Sequence, residues 1–229
     1  MVIGGFQPFS MLDYPGKSCS IVFTQGCPFR CAYCHNPDLI STRPTTTVSE
    51  ESIFVHLIKH RNMLDGVCIT GGEPTIQPDL RAFIEKIKAL GLLVKLDTNG
   101  IHPHAVRALI AAGLVDYIAM DVKHRWERYA DVTRIAGERS VRNCRDTFAI
   151  IQESGVDHEF RTTLLPGTHV EDDLLAMAGY LKDGESYYIQ DFRSGKTLEQ
   201  NIPNDTGFNT ADTVLKLRNA FPHLTIQLR

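Results

Sequence analysis

The sequence has no basic segment leading into a long apolar run at its start, and nowhere an apolar stretch of the length a membrane-spanning helix needs. These absences argue against a secretion signal and against a membrane protein, and the expected location is the cytoplasm. There is no excess of one charge either. Lys and Arg number 24 against 27 Asp and Glu, a net charge of −3, so no nucleic-acid or membrane-surface partner is expected. No low-complexity linker interrupts the 229 residues, which are read as one domain over 1–229. Cysteines are few, at 19, 27, 31, 34, 68 and 144, yet three of the six fall within eight residues. A disulfide scaffold would spread them along a shorter secreted chain. In a cytosolic chain such a cluster reads as metal-binding or catalytic.

What is present is alternation. Apolar, β-branched runs at 19–24, 66–70, 92–97, 115–122, 158–165 and 187–192 read as strands covered on both faces. Amphipathic stretches lie between them. Thr47-x-x-Glu50 and Thr168-x-x-Glu171 match capping boxes, and Pro78 suits a first helical turn. Gly91, Gly113, Gly155 and Gly184 follow helical segments, where left-handed C-caps are expected. Six strand–helix repeats with right-handed crossovers predict an α/β fold, a partial (β/α)6 barrel of parallel strands, with a doubly wound open sheet as the alternative. A helix near 212–219 and a strand near 224–228 form a short C-terminal helix–strand extension. Residues 124–139 and 193–209 read as longer loops.

The first strand runs into Gly26-Cys27-Pro-Phe-Arg-Cys31-Ala-Tyr33-Cys34-His35-Asn36. This loop leaves the C-terminal end of a parallel strand, where barrels place their chemistry. Three thiolates in C-x3-C-x2-C spacing suit three irons of a cubane cluster. With no fourth cysteine nearby, one iron keeps an open position where a substrate can bind. A structural zinc is the alternative, with His35 as a strained fourth ligand. Cys19, Cys68 and Cys144 lie on apolar faces and read as small core residues. The second strand ends in Gly71-Gly72-Glu73-Pro74, the third in Asp97-Thr98-Asn99-Gly100, and the fourth in Asp121-Val122-Lys123. Glu73, Asp97, Asp121 and Lys123 thus ring one mouth and suit a zwitterionic ligand with a ribose. Asp97 as a helix cap and Lys123 as a solvated surface group are the neutral readings.

The cysteine loop with Tyr33, followed one strand later by Gly71-Gly72-Glu73, resembles the radical S-adenosylmethionine (SAM) enzymes. The resemblance implies one [4Fe–4S] cluster on Cys27, Cys31 and Cys34. It implies SAM chelating the open iron, Tyr33 near the adenine, and the Gly71-Gly72-Glu73 segment on the SAM amino group. Reductive cleavage of SAM would then yield a hydrogen-abstracting 5′-deoxyadenosyl radical. Cys34-His35-Asn36, Asp97-Thr98-Asn99-Gly100, Asp121-Val122-Lys123 and Arg161-Thr-Thr-Leu-Leu-Pro166-Gly167 resemble, in order, segments of glycyl-radical-enzyme activases. That group implies Asp97, Asp121 and Lys123 as catalytic residues. His35, Val122 and Arg161 join them in cofactor binding, with a place for a monovalent cation. The substrate would be a backbone glycine of a partner glycyl radical enzyme, and the electron source a flavodoxin- or ferredoxin-type donor. The segment from Gly5 to Lys17 is similar to activating proteins of anaerobic ribonucleoside-triphosphate reductase. Activases of pyruvate formate-lyase, or a small-molecule enzyme of the carboxydeazaguanine synthase type, are the alternatives. In one respect the chain departs from the formate-lyase activases: its sixth strand has Gln190 and no histidine.

Overall fold

The computed structural model describes residues 1–43, 46–135, 137–203 and 205–229. Eight strands join in one sheet in chain order: β1 Ile3–Tyr14, β2 Lys17–Thr24, β3 Gly66–Gly71, β4 Leu93–Thr98, β5 Tyr117–Asp121, β6 Asp157–Thr163, β7 Ser186–Gln190 and β8 Thr225–Leu228. From β2 onward every neighbouring pair is parallel. The crossovers carry α1 Glu50–His60, α2 Leu80–Ala89, α3 Pro103–Ala111, α4 Tyr129–Thr133, α5 Glu138–Glu153, α6 Glu171–Ala178 and α7 Thr210–Ala220. All six expected parallel strands are present, and α7 with β8 forms the C-terminal extension. The fold is a mostly parallel α/β partial barrel. No helix of the described residues is long and apolar enough to cross a membrane.

Strand alternation divides the interior in two. Val22, Val67, Ile69, Val94, Leu96, Ile118, Met120, Phe160 and Ile189 point one way and pack under the helices. In α2, for example, Leu80, Phe83, Ile84 and Ile87 recur at helical spacing and are buried against that face. Each such side chain contributes roughly 1.5–3 kcal/mol of burial free energy. The opposite faces of the same strands line the barrel lumen, where Cys19, Ile21 and Cys68 make a small second cluster with Phe23, Leu93 and Tyr117.

One strand is added and four local expectations are corrected. β1 is a twelve-residue antiparallel strand on the sheet edge. Gly4, Gly5 and Pro8 mask it, because they disfavour a central strand and its register shifts break the two-residue period. Residues 124–139 are not simply a loop, since they hold a 3-10 turn at Trp126–Arg128, then α4 and the start of α5. Aromatic packing builds them: Trp126 stacks on Tyr129 and Tyr180, and Tyr129 is fully buried. A five-residue helix is too short to show a period. Ser49, not Thr47, caps α1 by accepting from the Ser52 N–H. At α6 it is the Asp173 carboxylate that takes the Val170 N–H, so Thr168 and Glu171 are not the box. Gly91, Gly113 and Gly155 do hold positive φ after α2, α3 and α5. α6 instead closes at Gly179, and Gly184 lies in the turn before β7.

Candidate active site

One cavity of about 200 Å³ opens at the C-terminal ends of the parallel strands. Cys27, Cys31, Tyr33, Cys34, His35, Gly71, Gly72, Glu73, Asp97, Asp121 and Lys123 all line it. Two expected residues do not. Val122 is buried in the core, its carbonyl accepting from Thr162 Oγ1 at 2.7 Å. Arg161 acts beneath the cavity through the carboxylates it binds.

The cysteine loop is fixed to the next strand by backbone contacts. Gly72 N–H donates to Thr24 O at 2.9 Å, and Glu73 N–H donates to Gly26 O at 2.8 Å. A Cβ on Gly72 would lie 2.1 Å from Gly26 O, and Gly71 holds φ +113° against Thr24. The glycine pair is therefore required by the protein's own cysteine loop, before any ligand arrives. Glu73 is likewise engaged internally. It is fully buried, and its carboxylate accepts from Thr98 Oγ1 and Asn99 N–H, both at 2.7 Å, and from Thr75. Burial raises its pKa against the pull of those donors.

Beside it runs a chain of opposite charges. Arg161 Nε meets Asp121 Oδ1 at 2.9 Å and Arg161 Nη1 meets Asp97 Oδ2 at 3.3 Å. Lys123 Nζ meets Asp121 Oδ2 at 2.9 Å, and Lys95 pairs with Asp97. Burial by itself would push both carboxyl groups up, but Arg161 with Lys95 at Asp97, and Arg161 with Lys123 at Asp121, hold them well below the usual range. Burial also works against the charge of Lys123, and Asp121 reverses it. Both carboxylates and the ammonium are thus charged throughout the neutral range.

Lys95, Glu159 and Arg229 extend the same network and were not anticipated. Glu159 binds Arg229 at 3.0 Å, and Lys95 is 2% exposed. The signal was available, because Lys95 and Asp97, like Glu159 and Arg161, sit two apart within a strand and flank a core residue, Leu96 or Phe160. That spacing aims both members of a pair into the lumen.

The expected loop at 193–209 is also informative. His35 Nε2 bonds Arg193 O at 2.9 Å, and the His35 ring stacks on Phe192. Leu198 N–H donates to Cys34 O at 3.1 Å, and Glu199 N–H to Ala32 O at 3.0 Å. This segment straps the cysteine loop from outside. Gln190 accepts from Thr163 Oγ1 at 3.1 Å.

One of two stacked histidines holds the Lys123 main chain. His169 Nδ1 accepts from Leu165 N–H, so Nε2 carries the proton and donates to Lys123 O at 2.9 Å. The His124 ring lies 4.6 Å away over Asp173. Burial, then the neighbouring His124, lowers the His169 pKa to about 4. The unfolded chain therefore takes up a proton near pH 6.5 that the folded chain refuses. Stability from this group is complete above the unfolded value and is lost as pH falls toward the folded one. The loss between pH 7 and pH 5 is about 2 kcal/mol. Denaturant midpoints at the two pH values test this, and His169→Gln should remove that share of the difference.

Residues 21–178 match the Radical SAM superfamily. The chain belongs to the radical SAM superfamily. It is 33% identical over 195 residues to a Methanocaldococcus jannaschii protein provisionally named a glycyl-radical enzyme activating enzyme, covering 83% of this chain and 80% of that one. It is 26% identical to the pyruvate formate-lyase-activating enzyme of Clostridium pasteurianum, over 80% and 78% of the two chains. Among solved structures, SuiB of Streptococcus suis bound to S-adenosylmethionine superposes with a TM-score of 0.67 at 13% identity. That match covers 91% of this chain, which spans about half the length of SuiB. This radical SAM enzyme uses a [4Fe–4S] cluster and SAM. The residues present fit both groups. Burial pushes the Cys27 and Cys31 thiols up to about 12 and about 11, so a bound cation is what would ionise them. The three thiols of a cubane bind three different irons, and among the described residues no single-ion cage is gathered. The Tyr33 hydroxyl is buried in the cavity wall and has no hydrogen-bond partner among the described residues.

Proposed function

We propose that this enzyme activates a glycyl radical enzyme by removing one hydrogen atom from a backbone glycine of that partner. The observation carrying this reading is the gathering of Cys27, Cys31, Cys34, Asp97, Asp121 and Lys123 around one cavity open to the barrel mouth. The named M. jannaschii and C. pasteurianum relatives support the class. Cys27, Cys31 and Cys34 would hold the cluster, which with SAM supplies a hydrogen-abstracting radical when bound. Lys123, held charged by Asp121, would face the SAM carboxylate, and the fixed negative charges of Asp97 and Asp121 would face cationic or hydroxyl groups. Tyr33 and His35 would line the nucleoside, with Gly71, Gly72 and Glu73 on the amino end. Arg161 would position the two aspartates, and Asp97 and Asp121 leave a place for a monovalent cation.

The partner proposed is anaerobic ribonucleoside-triphosphate reductase, on the resemblance of the segment from Gly5 to Lys17. Pyruvate formate-lyase is the second candidate, on the C. pasteurianum relative. The work would take place in the cytoplasm of an anaerobic cell with a low-potential electron donor. The test is anaerobic incubation of the reduced holoenzyme with SAM and each candidate partner. A glycyl radical doublet by electron paramagnetic resonance is expected with one of them. Consumption of SAM with a metabolite and no partner would overturn the reading.

A further inference from the structure

We infer that Asn99 is a positioning residue that raises the reduction potential of the cluster, by aiming its side-chain amide at the sulfur of Cys27. The inference rests on cluster binding alone and needs no glycyl radical partner.

Asn99 Nδ2 lies 3.7 Å from Cys27 Sγ, within hydrogen-bonding reach of a sulfur acceptor. Among the described residues no other side chain donates to the sulfur of Cys27, Cys31 or Cys34. The amide cannot turn round without loss. Its Oδ1 accepts from Ile101 N–H at 3.0 Å, so the NH2 end is the one left toward the sulfur. The turn that carries it is braced from three sides. Asn99 N–H donates to Glu73 Oε2 at 2.7 Å, Thr147 Oγ1 donates to Gly100 O at 2.6 Å, and Asn143 Nδ2 donates to Ile101 O at 3.1 Å. Asn99 is itself buried, so solvent does not compete for the amide.

Charge gives this contact its direction. The sulfur in the structure is a thiol, and with iron bound it is a thiolate. An amide N–H on a thiolate is a charge-assisted hydrogen bond. Reduction places one more negative charge on the cluster and its cysteine sulfurs. A fixed donor therefore favours the reduced state over the oxidised one, and the potential rises. In the step itself a low-potential reductant loses one electron and the cluster gains it, with no bond made or broken. The braced turn matters because a donor already in place spends nothing on reorganisation when the charge arrives.

The test is a redox titration of the reconstituted holoenzyme, followed by electron paramagnetic resonance of the reduced cluster. At the wild-type midpoint, Asn99→Leu should lower the ratio of reduced to oxidised cluster about tenfold, which is 59 mV for one electron. Asn99→Asp should fall at least as far, because it keeps the Ile101 bond, loses the donor and adds negative charge. Thr147→Val is the structural control. It removes a bond of the same turn that points away from the sulfur, so its thermal midpoint should fall and its potential should stay at the wild-type value. All three variants should carry wild-type iron and sulfide. A wild-type potential in Asn99→Leu would overturn the assignment, and so would an equal shift in Thr147→Val. Loss of iron from either Asn99 variant would also overturn it, because the amide would then serve the assembly of the loop and not the potential.

Discussion

Alanine at any one of Cys27, Cys31 or Cys34 is expected to abolish SAM cleavage, whereas alanine at Cys19, Cys68 or Cys144 should leave it in place. The six cysteines divide by position. Three line the mouth cavity on one loop. The other three are fully buried, Cys19 and Cys68 in the lumen cluster and Cys144 on the inner face of α5. Losing one cluster thiolate removes an iron ligand that no neighbouring cysteine can replace, and metal binding is all-or-none at that level. Truncating a buried thiol to alanine removes one atom from the core, a cost on the order of 1 kcal/mol. Iron and sulfide content per chain, the charge-transfer absorbance and 5′-deoxyadenosine formation separate the two groups. A cluster-free Cys68→Ala, or a fully active Cys31→Ala, would sink the assignment.

Gly72→Ala should be nearly as damaging, although position 72 offers no reactive group. Its Cβ would sit 2.1 Å from Gly26 O and 2.9 Å from Leu39 O, both backbone atoms that cannot swing away. Relief requires moving the cysteine loop away from β3, which breaks the bonds from Gly72 N–H to Thr24 O and from Glu73 N–H to Gly26 O. The expected cost is about 3 kcal/mol or more, at the upper end of overpacking penalties. Cluster occupancy after reconstitution should fall with it. Gly91→Ala is the comparison. Its φ is +78° and nothing lies within 4 Å, so only the left-handed backbone costs, about 1–2 kcal/mol. Thermal unfolding of both variants and iron content of the reconstituted proteins give the answer. A Gly72→Ala protein as stable and as iron-rich as Gly91→Ala would refute the steric argument.

The six parallel strands were legible because each is a short β-branched run bounded by turn residues and closed by a helix of matching period. The mouth was legible for a related reason. Strand ends that carry Cys27, Glu73, Asp97 and Lys123 at successive C-termini must share one rim in any right-handed parallel barrel. Features that depend on partners far along the chain were not legible. β1 depends on β2 for its pairing and hides behind Gly4, Gly5 and Pro8. α4 depends on Trp126 finding Tyr129 and Tyr180, which is fifty-odd residues away in sequence.

The sequence by itself determined the fold class, the cysteine loop and the strand ends that face it, since these follow from local periodicity and from the handedness of successive crossovers. Only the tertiary structure decided what each group does once it is there. Glu73 turns inward to bind Thr98 and Asn99, Arg161 joins two aspartates from neighbouring strands, and His169 grips the Lys123 carbonyl. Residue 193 reaches His35 across 158 positions of chain. Hydrogen bonds and ion pairs act over about 3 Å in space, and sequence separation places no bound on which groups come that close.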